Sequence, residues 1–113
     1  MDAHNSAITE DAVEKAVYFL RDSAKKYGAA RGHQEFCDAN LRRVKSLEMV
    51  GKDGSVGDRE ARAYASDAYK QAMEDLENAI AYYEELRAYR EAAVMLIETW
   101  RSLNSARRQG INL

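Results

Sequence analysis

The fold is decided by residues 58–108, which have the sequence DREARAYASDAYKQAMEDLENAIAYYEELRAYREAAVMLIETWRSLNSARR and contain neither glycine nor proline. Apolar residues recur in this stretch with a seven-residue period, which is typical of a helix that packs lengthwise against another helix. With Tyr69 as the first a position, the packing seam consists of Tyr69, Leu76, Tyr83, Arg90, Ile97 and Asn104 at a and of Ala72, Ala79, Leu86, Ala93 and Trp100 at d. The stretch therefore predicts one long helix.

The positions beside this seam are also rich in apolar residues, where a two-stranded coiled coil carries charges. The apolar g positions are Tyr82, Tyr89, Leu96 and Leu103, and the apolar e positions include Met73, Ile80 and Val94. Soluble monomers avoid exposing such rows, so the pattern predicts a homodimer in which two helical hairpins form a four-helix bundle. Arg90 is a charge within the seam and a further candidate for the dimer or partner interface. We expect an acid on the opposing helix to meet it, because such a charge can fix register and partner choice.

The residues that precede this helix predict a turn and a second long helix. Residues 50–57 contain three glycines and an Asp-Gly pair, so the chain reverses there. Gly51 suits a left-handed helix cap, and Ser55 or Asp58 can cap the helix that follows. The other helix runs from about residue 9 to residue 49, after Thr9 and two acids. Its predicted apolar positions are Val13, Val17, Leu20, Ala24 and Tyr27, then Phe36, Cys37, Leu41, Val44 and Leu47.

Two glycines, Gly28 and Gly32, lie in the middle of the first helix and each costs about 1 kcal/mol relative to alanine. We predict one continuous helix with a soft and kinked middle, and two shorter helices are the alternative. The whole sequence predicts an all-α fold, a long antiparallel helical hairpin formed by residues 1–113 as a single domain.

Composition limits the setting in which the protein works. The chain has 113 residues, of which 46% are hydrophobic and 32% are charged, and this balance is typical of a water-soluble globular protein. Its single cysteine cannot form an internal disulfide, and no apolar run reaches the 18 or so residues of a membrane span. We therefore expect a cytoplasmic location and no membrane contact.

The sequence contains no recognisable catalytic set. The nearest group to a metal site is His33, Glu35, Cys37 and Asp38, but a structural zinc site needs four ligands and the chain has no second His or Cys pair. No nucleophile with a neighbouring base is visible. We expect a non-enzymatic protein without metal or cofactor.

The charge pattern leaves two alternatives to simple protein binding. Residues 58–99 carry five basic and ten acidic side chains. One alternative is that the acidic stretch from Glu74 to Glu98 mimics nucleic acid and inhibits a host defence protein. Basic residues gather at the two ends of the hairpin, where they can contact phosphates directly or satisfy a helix dipole. The candidates for nucleic-acid contact are Arg42, Arg43, Lys45, Arg59 and Arg62 at the turn and Arg107 and Arg108 at the other end.

The sequence also resembles a group of small helical proteins encoded by tailed bacteriophages and prophages. The similar residues are Asp58 to Ser66, Tyr69, Glu85-Leu86-Arg87, Trp100-Arg101-Ser102 and Arg107, with Leu20 to Ala24 and Lys45-Ser46 in the first half. Genes of this group lie in early regions near recombination and replication functions. The resemblance implies an accessory factor that recruits or modulates a protein partner in DNA recombination or replication, in the cytoplasm of the host cell.

Overall fold

The structure is a computed structural model that describes residues 8–110, and within them it consists of three helices and no strand. The helices are α1 (Glu10–Met49), α2 (Val56–Tyr64) and α3 (Asp67–Arg108). The predicted all-α class is confirmed.

Helix α1 begins and ends as its sequence predicts. The Thr9 hydroxyl accepts a hydrogen bond from the Ala12 amide at 3.1 Å, and acids occupy the first turn. The helix continues without interruption through Gly28 and Gly32, so the prediction of one continuous helix is confirmed. After Met49, Gly51 has a positive φ of 72°, the left-handed conformation that glycine adopts without steric cost.

The second half of the chain differs from the prediction, because the helix expected over residues 58–108 is divided into two. Ser55 caps α2 through a hydrogen bond to the Asp58 amide, as predicted, but α2 ends at Tyr64. At the break, the Ser66 hydroxyl donates to the Ala63 carbonyl at 2.6 Å and accepts from the Tyr69 amide at 3.2 Å. Ser66 therefore stabilises both the end of one helix and the start of the next.

The chain divides into two compact units. The turn unit is Tyr27–Glu84, and the terminal unit contains the described residues up to Lys26 together with those from Glu85 onward. In the turn unit the Tyr27 and Tyr83 rings stack with centroids 5.3 Å apart. In the terminal unit Leu20 faces Arg90. Helices α1 and α3 thus pack antiparallel, and the predicted helical hairpin is confirmed.

The seam predicted for α3 is the buried side of that helix. Every a position from Tyr69 to Asn104 is half-buried, and four of the five d positions are buried, with Trp100 half-buried. Three of the buried d residues are alanines: Ala72, Ala79 and Ala93. Small side chains at this position allow two helices to approach closely.

The buried side of α1 differs in part from the predicted one. Val13, Leu20 and Tyr27 do lie in the seam, but Val17 and Ala24 are exposed. Phe36 and Leu47, also expected in the apolar row, are exposed too. The seam instead uses small residues at seven-residue intervals, namely Ala16, Ser23, Ala30 and Cys37. Closely packed helices bury a narrow strip of two positions per heptad, which leaves the neighbouring apolar positions outside.

Candidate interaction surfaces

Apolar side chains on α3 that lie outside the seam are only partly covered by the rest of the chain. Of the five residues predicted to face a second copy or a partner, Tyr82 and Tyr89 are 46% and 60% exposed. Leu96 and Leu103 are half-buried. The apolar e positions Met73, Ile80 and Val94 are exposed as well. The single chain therefore does not hide the sides of its own seam.

Arg90 links the two long helices inside the terminal unit. Its Nη1 atom donates hydrogen bonds to the Leu20 carbonyl oxygen at 2.8 Å and to the Ser23 hydroxyl at 2.6 Å. Ser23 is buried. Both of these acceptors are uncharged, and the acid expected on the opposing helix stays a prediction. Hydrogen bonds of a charged donor are stronger than neutral ones, so this contact favours one alignment of α1 against α3.

An open groove of about 520 Å³ lies on one side of the seam in the turn unit. It is lined by His33, Phe36, Cys37, Asn40, Asp75, Asn78, Ala79 and Tyr82. The His33 ring Nε2 lies 3.6 Å from the Cys37 sulfur, within hydrogen-bonding range. Residues 8–110 contain no group of three or more His, Cys, Asp or Glu side chains that could hold a metal ion. The groove is a mixed polar and aromatic surface.

A second groove of about 380 Å³ lies on the other side of the same seam. It is predominantly apolar and is lined by Leu41, Tyr69, Met73, Leu76, Glu77 and Ile80. Four of the lining residues come from the a and e positions of α3, Glu77 comes from a b position, and Leu41 comes from α1. The turn unit thus presents concave surfaces on both sides of its seam.

Several basic residues near the turn make contacts within the chain itself. Lys45 Nζ lies 3.5 Å from the Glu60 carboxylate and 4.7 Å from the centre of the Tyr64 ring. Hydrogen bonding with Tyr64 raises the pKa of Lys45, and the Glu60 charge raises it further. Arg62 donates to the Asp53 carbonyl oxygen. These contacts hold α2 against α1 and order the turn.

Of the other turn residues proposed to contact nucleic acid, Arg42 pairs with Asp38 at 3.2 Å on the exposed side of α1. Arg59 is half-buried, and Arg43 is exposed. The structure therefore does not gather these side chains into one open cationic surface.

The basic residues at the end of α3 are arranged differently. Arg107 and Arg108 lie in the last turn of the helix and are exposed. Together with Trp100, Arg101 and Asn104 they line a groove of about 370 Å³. The sequence predicts Trp100 only as a core residue, but it also borders this groove. The sequence signal that identifies this groove is the spacing of its five lining residues, which places them on one side of a helix.

Comparison with protein-family models, curated proteins and solved structures finds no match for this chain. The resemblance to phage-encoded helical proteins therefore stays a prediction. No helix within residues 8–110 is long and apolar enough to span a lipid bilayer.

Proposed function

We propose that this protein is a non-enzymatic binding protein that self-associates, two hairpins forming a four-helix bundle. The supporting observation is the exposure of large apolar side chains beside the seam in each unit. The turn unit exposes Met73, Ile80 and Tyr82, and the terminal unit exposes Tyr89 and Val94. Burial of apolar surface stabilises by about 25 cal/mol per Å², so covering these side chains with a second copy favours association.

Sedimentation of the purified protein over a range of concentrations tests this proposal. We expect a dimer that dissociates on dilution, and we expect the combined variant Tyr82→Gln and Tyr89→Gln to remain monomeric at concentrations where the wild type is dimeric. Tyr18→Gln is the matched control, because Tyr18 is 44% exposed but lies on the side of α1 away from the seam. A wild-type protein that is monomeric at every concentration contradicts the proposal.

The partner proposed for this assembly is a protein of DNA recombination or replication, with the chain acting as an accessory factor of phage or prophage type. The resemblance of Asp58 to Ser66 and of Trp100 to Ser102 to phage-encoded proteins supports this role. Binding measurements with purified single-strand annealing proteins, exonucleases and single-strand binding proteins test it. We expect saturable binding to one of these three classes, and the proposal fails if none binds the dimeric protein.

A second candidate function is inhibition of a host defence protein by an acidic surface that imitates nucleic acid. The acidic side chains of α3 support it, because Glu74, Asp75, Glu77, Glu84, Glu85, Glu91 and Glu98 are all exposed. The discriminating experiment is expression of the protein in a bacterium that carries such a defence. Protection of an infecting phage without a change in recombination frequency favours inhibition, and the reverse result favours the accessory role.

A further inference from the structure

The last three turns of α3 carry a cationic and aromatic groove that lies apart from the residues proposed for self-association. It is formed by Trp100, Arg101, Asn104, Arg107 and Arg108 and has a volume of about 370 Å³. None of these residues is among the exposed apolar side chains proposed for self-association. We propose that this groove binds single-stranded nucleic acid, with a base stacked on Trp100 and the arginines on the phosphates.

The geometry places an aromatic ring and three guanidinium groups along one side of a single helix. Residues 100, 104, 107 and 108 are one and two helical turns apart, and Arg101 lies at the edge of the same side. At 1.5 Å per residue, the span from Trp100 to Arg108 is about 12 Å. Trp100 is half-buried, so part of its side chain packs in the seam while the remainder lines the groove. A ring fixed in this way is ordered before a base stacks on it.

The charge around the groove favours an anionic ligand. The chain contains no Asp or Glu after Glu98, while it has three arginines in that stretch. Within residues 8–110 no carboxylate lies within ion-pair distance of Arg101, Arg107 or Arg108. By contrast, Lys45 is paired with Glu60. A planar guanidinium with free donors binds phosphate oxygens in a bidentate manner.

The aromatic residue distinguishes a single strand from other anions. Cations at the end of a helix also interact favourably with its dipole, and that effect accounts for Arg107 and Arg108 but not for a groove bordered by Trp100. Duplex DNA offers phosphates, yet its bases are stacked on one another and present no free face. Proteins that hold single strands combine a basic groove with aromatic side chains on which bases stack.

The test uses Trp100 itself, because it is the only tryptophan in the chain. Titration of the full-length protein with a thymidine decanucleotide at low salt should quench Trp100 fluorescence to a saturating value. Three arginine contacts predict that log K falls against log salt with a slope of about −2, from roughly −0.7 per contact for a single strand. The absence of saturable quenching at low salt overturns the proposal.

Paired variants separate a built site from general charge attraction. Replacing Arg107 and Arg108 by glutamine should weaken binding and reduce the size of the salt slope by about 1.4. Replacing Arg42 and Arg43 by glutamine removes the same charge at the turn and should leave both quantities unchanged. An equal loss in the two double variants would show that the groove is not the site.

The aromatic contribution is measured by anisotropy of a labelled oligonucleotide, with helix content checked by circular dichroism. Trp100→Leu should weaken binding by about tenfold to a hundredfold, while Trp100→Phe retains most of it. Equal affinity for duplex DNA, or for thymidine monophosphate alone, overturns the assignment to a single strand. Binding should persist in the combined variant Tyr82→Gln and Tyr89→Gln, so failure of self-association and failure of this site are distinguishable.

Discussion

Two half-buried polar residues, Arg90 on α3 and Gln34 on α1, differ in what they contact. Arg90 donates to two oxygens of α1 in the terminal unit. Gln34 lies in the turn unit, and its buried Oε1 atom has no hydrogen-bond partner among residues 8–110. A buried acceptor without a partner costs about 1–3 kcal/mol. Arg90 therefore contributes alignment, whereas Gln34 reduces stability.

Replacement of the unpartnered amide should stabilise the protein. We expect Gln34→Leu to raise the free energy of unfolding by about 1–2 kcal/mol, because it removes a buried polar group and adds apolar contact in the seam. Urea denaturation measures the change. Gln71→Leu is the control, since Gln71 is exposed and bonds to Asp75, and it should change stability by less than about 0.5 kcal/mol. If Gln34→Leu leaves the free energy of unfolding unchanged, the expected cost of the unpartnered Gln34 amide is contradicted.

The contact between Arg90 and Ser23 is measurable as a coupling energy. A double-mutant cycle of Arg90→Leu and Ser23→Ala should give about 0.5–3 kcal/mol, the range for residues in direct contact. The charged donor and the buried hydroxyl are 2.6 Å apart, which places the pair at the stronger end of ordinary hydrogen bonds. The control is the same cycle with Arg87→Leu in place of Arg90→Leu. Additive changes in the Arg90 cycle would show that the bond between Arg90 and Ser23 does not contribute to the free energy of unfolding.

Among the elements, the junction between α2 and α3 depends on a single side chain. Ser66 bonds to the Ala63 carbonyl and to the Tyr69 amide. Loss of a serine at a helix N-cap costs about 1 kcal/mol, so Ser66→Ala should lower the free energy of unfolding by that amount. Ser102→Ala, at an exposed position inside α3, should be neutral or slightly stabilising. Equal stability of the two variants would exclude a capping role for Ser66.

The attachment of α2 to α1 should depend on alkaline pH through Lys45. Its pKa in the folded protein is raised above the ordinary value of 10.5 by Tyr64 and Glu60. A raised pKa contributes stability that is complete below the unfolded value and is lost as pH rises through the folded value. Thermal unfolding from pH 8 to pH 12 should therefore show an advantage of the wild type over Lys45→Gln that begins to fall near pH 10.5 and is lost as pH rises through the raised pKa of the folded protein. The control is Lys70→Gln, on the exposed side of α3. Its difference in stability from the wild type should not change with pH in this range.

The long helices could be predicted from the sequence because their signals are local. The seven-residue repeat from Tyr69 identifies the buried side of α3, and Thr9 and Gly51 mark the limits of α1. The seam of α1 could be predicted only in part, because the alanines and serine at positions 16, 23 and 30 are weakly hydrophobic. Their seven-residue repeat becomes informative only when it is matched to the repeat of the opposing helix.

The junction and the surfaces could not be predicted in the same way. Residues 58–69 have high helix propensity without glycine or proline, so the break at Ser66 becomes visible only through its two hydrogen bonds. Lys45 contacts Glu60 and Tyr64 only because α2 packs against α1. The spacing of charges along the sequence does not predict that packing. The residues that line the groove at Trp100 are regularly spaced in the sequence. That spacing does not predict the concave surface, which forms only when the helix has folded.

For the whole molecule, the composition of the seam explains why side chains beside it remain exposed. Among the described residues 8–110, six of the nine buried apolar residues are alanines, and each buries little surface. The large apolar residues, such as Tyr89 and Met95 at 60% and 66% exposure, lie outside the seam. A core built from small residues provides limited hydrophobic stabilisation for a chain of this length. Additional burial must come from another surface if the protein is to be more than marginally stable.

This reasoning predicts that thermal stability depends on protein concentration. A partner that binds only the folded state raises its stability by mass action, so the wild-type Tm should rise over a hundredfold increase in concentration. The combined variant Tyr82→Gln and Tyr89→Gln should unfold at a lower Tm that is independent of concentration. Tyr18→Gln should follow the wild type, because its exposed ring lies away from the seam. A constant wild-type Tm would mean that the alanine-rich seam alone stabilises the fold, and the exposed side chains of α3 would then need a partner other than a second copy.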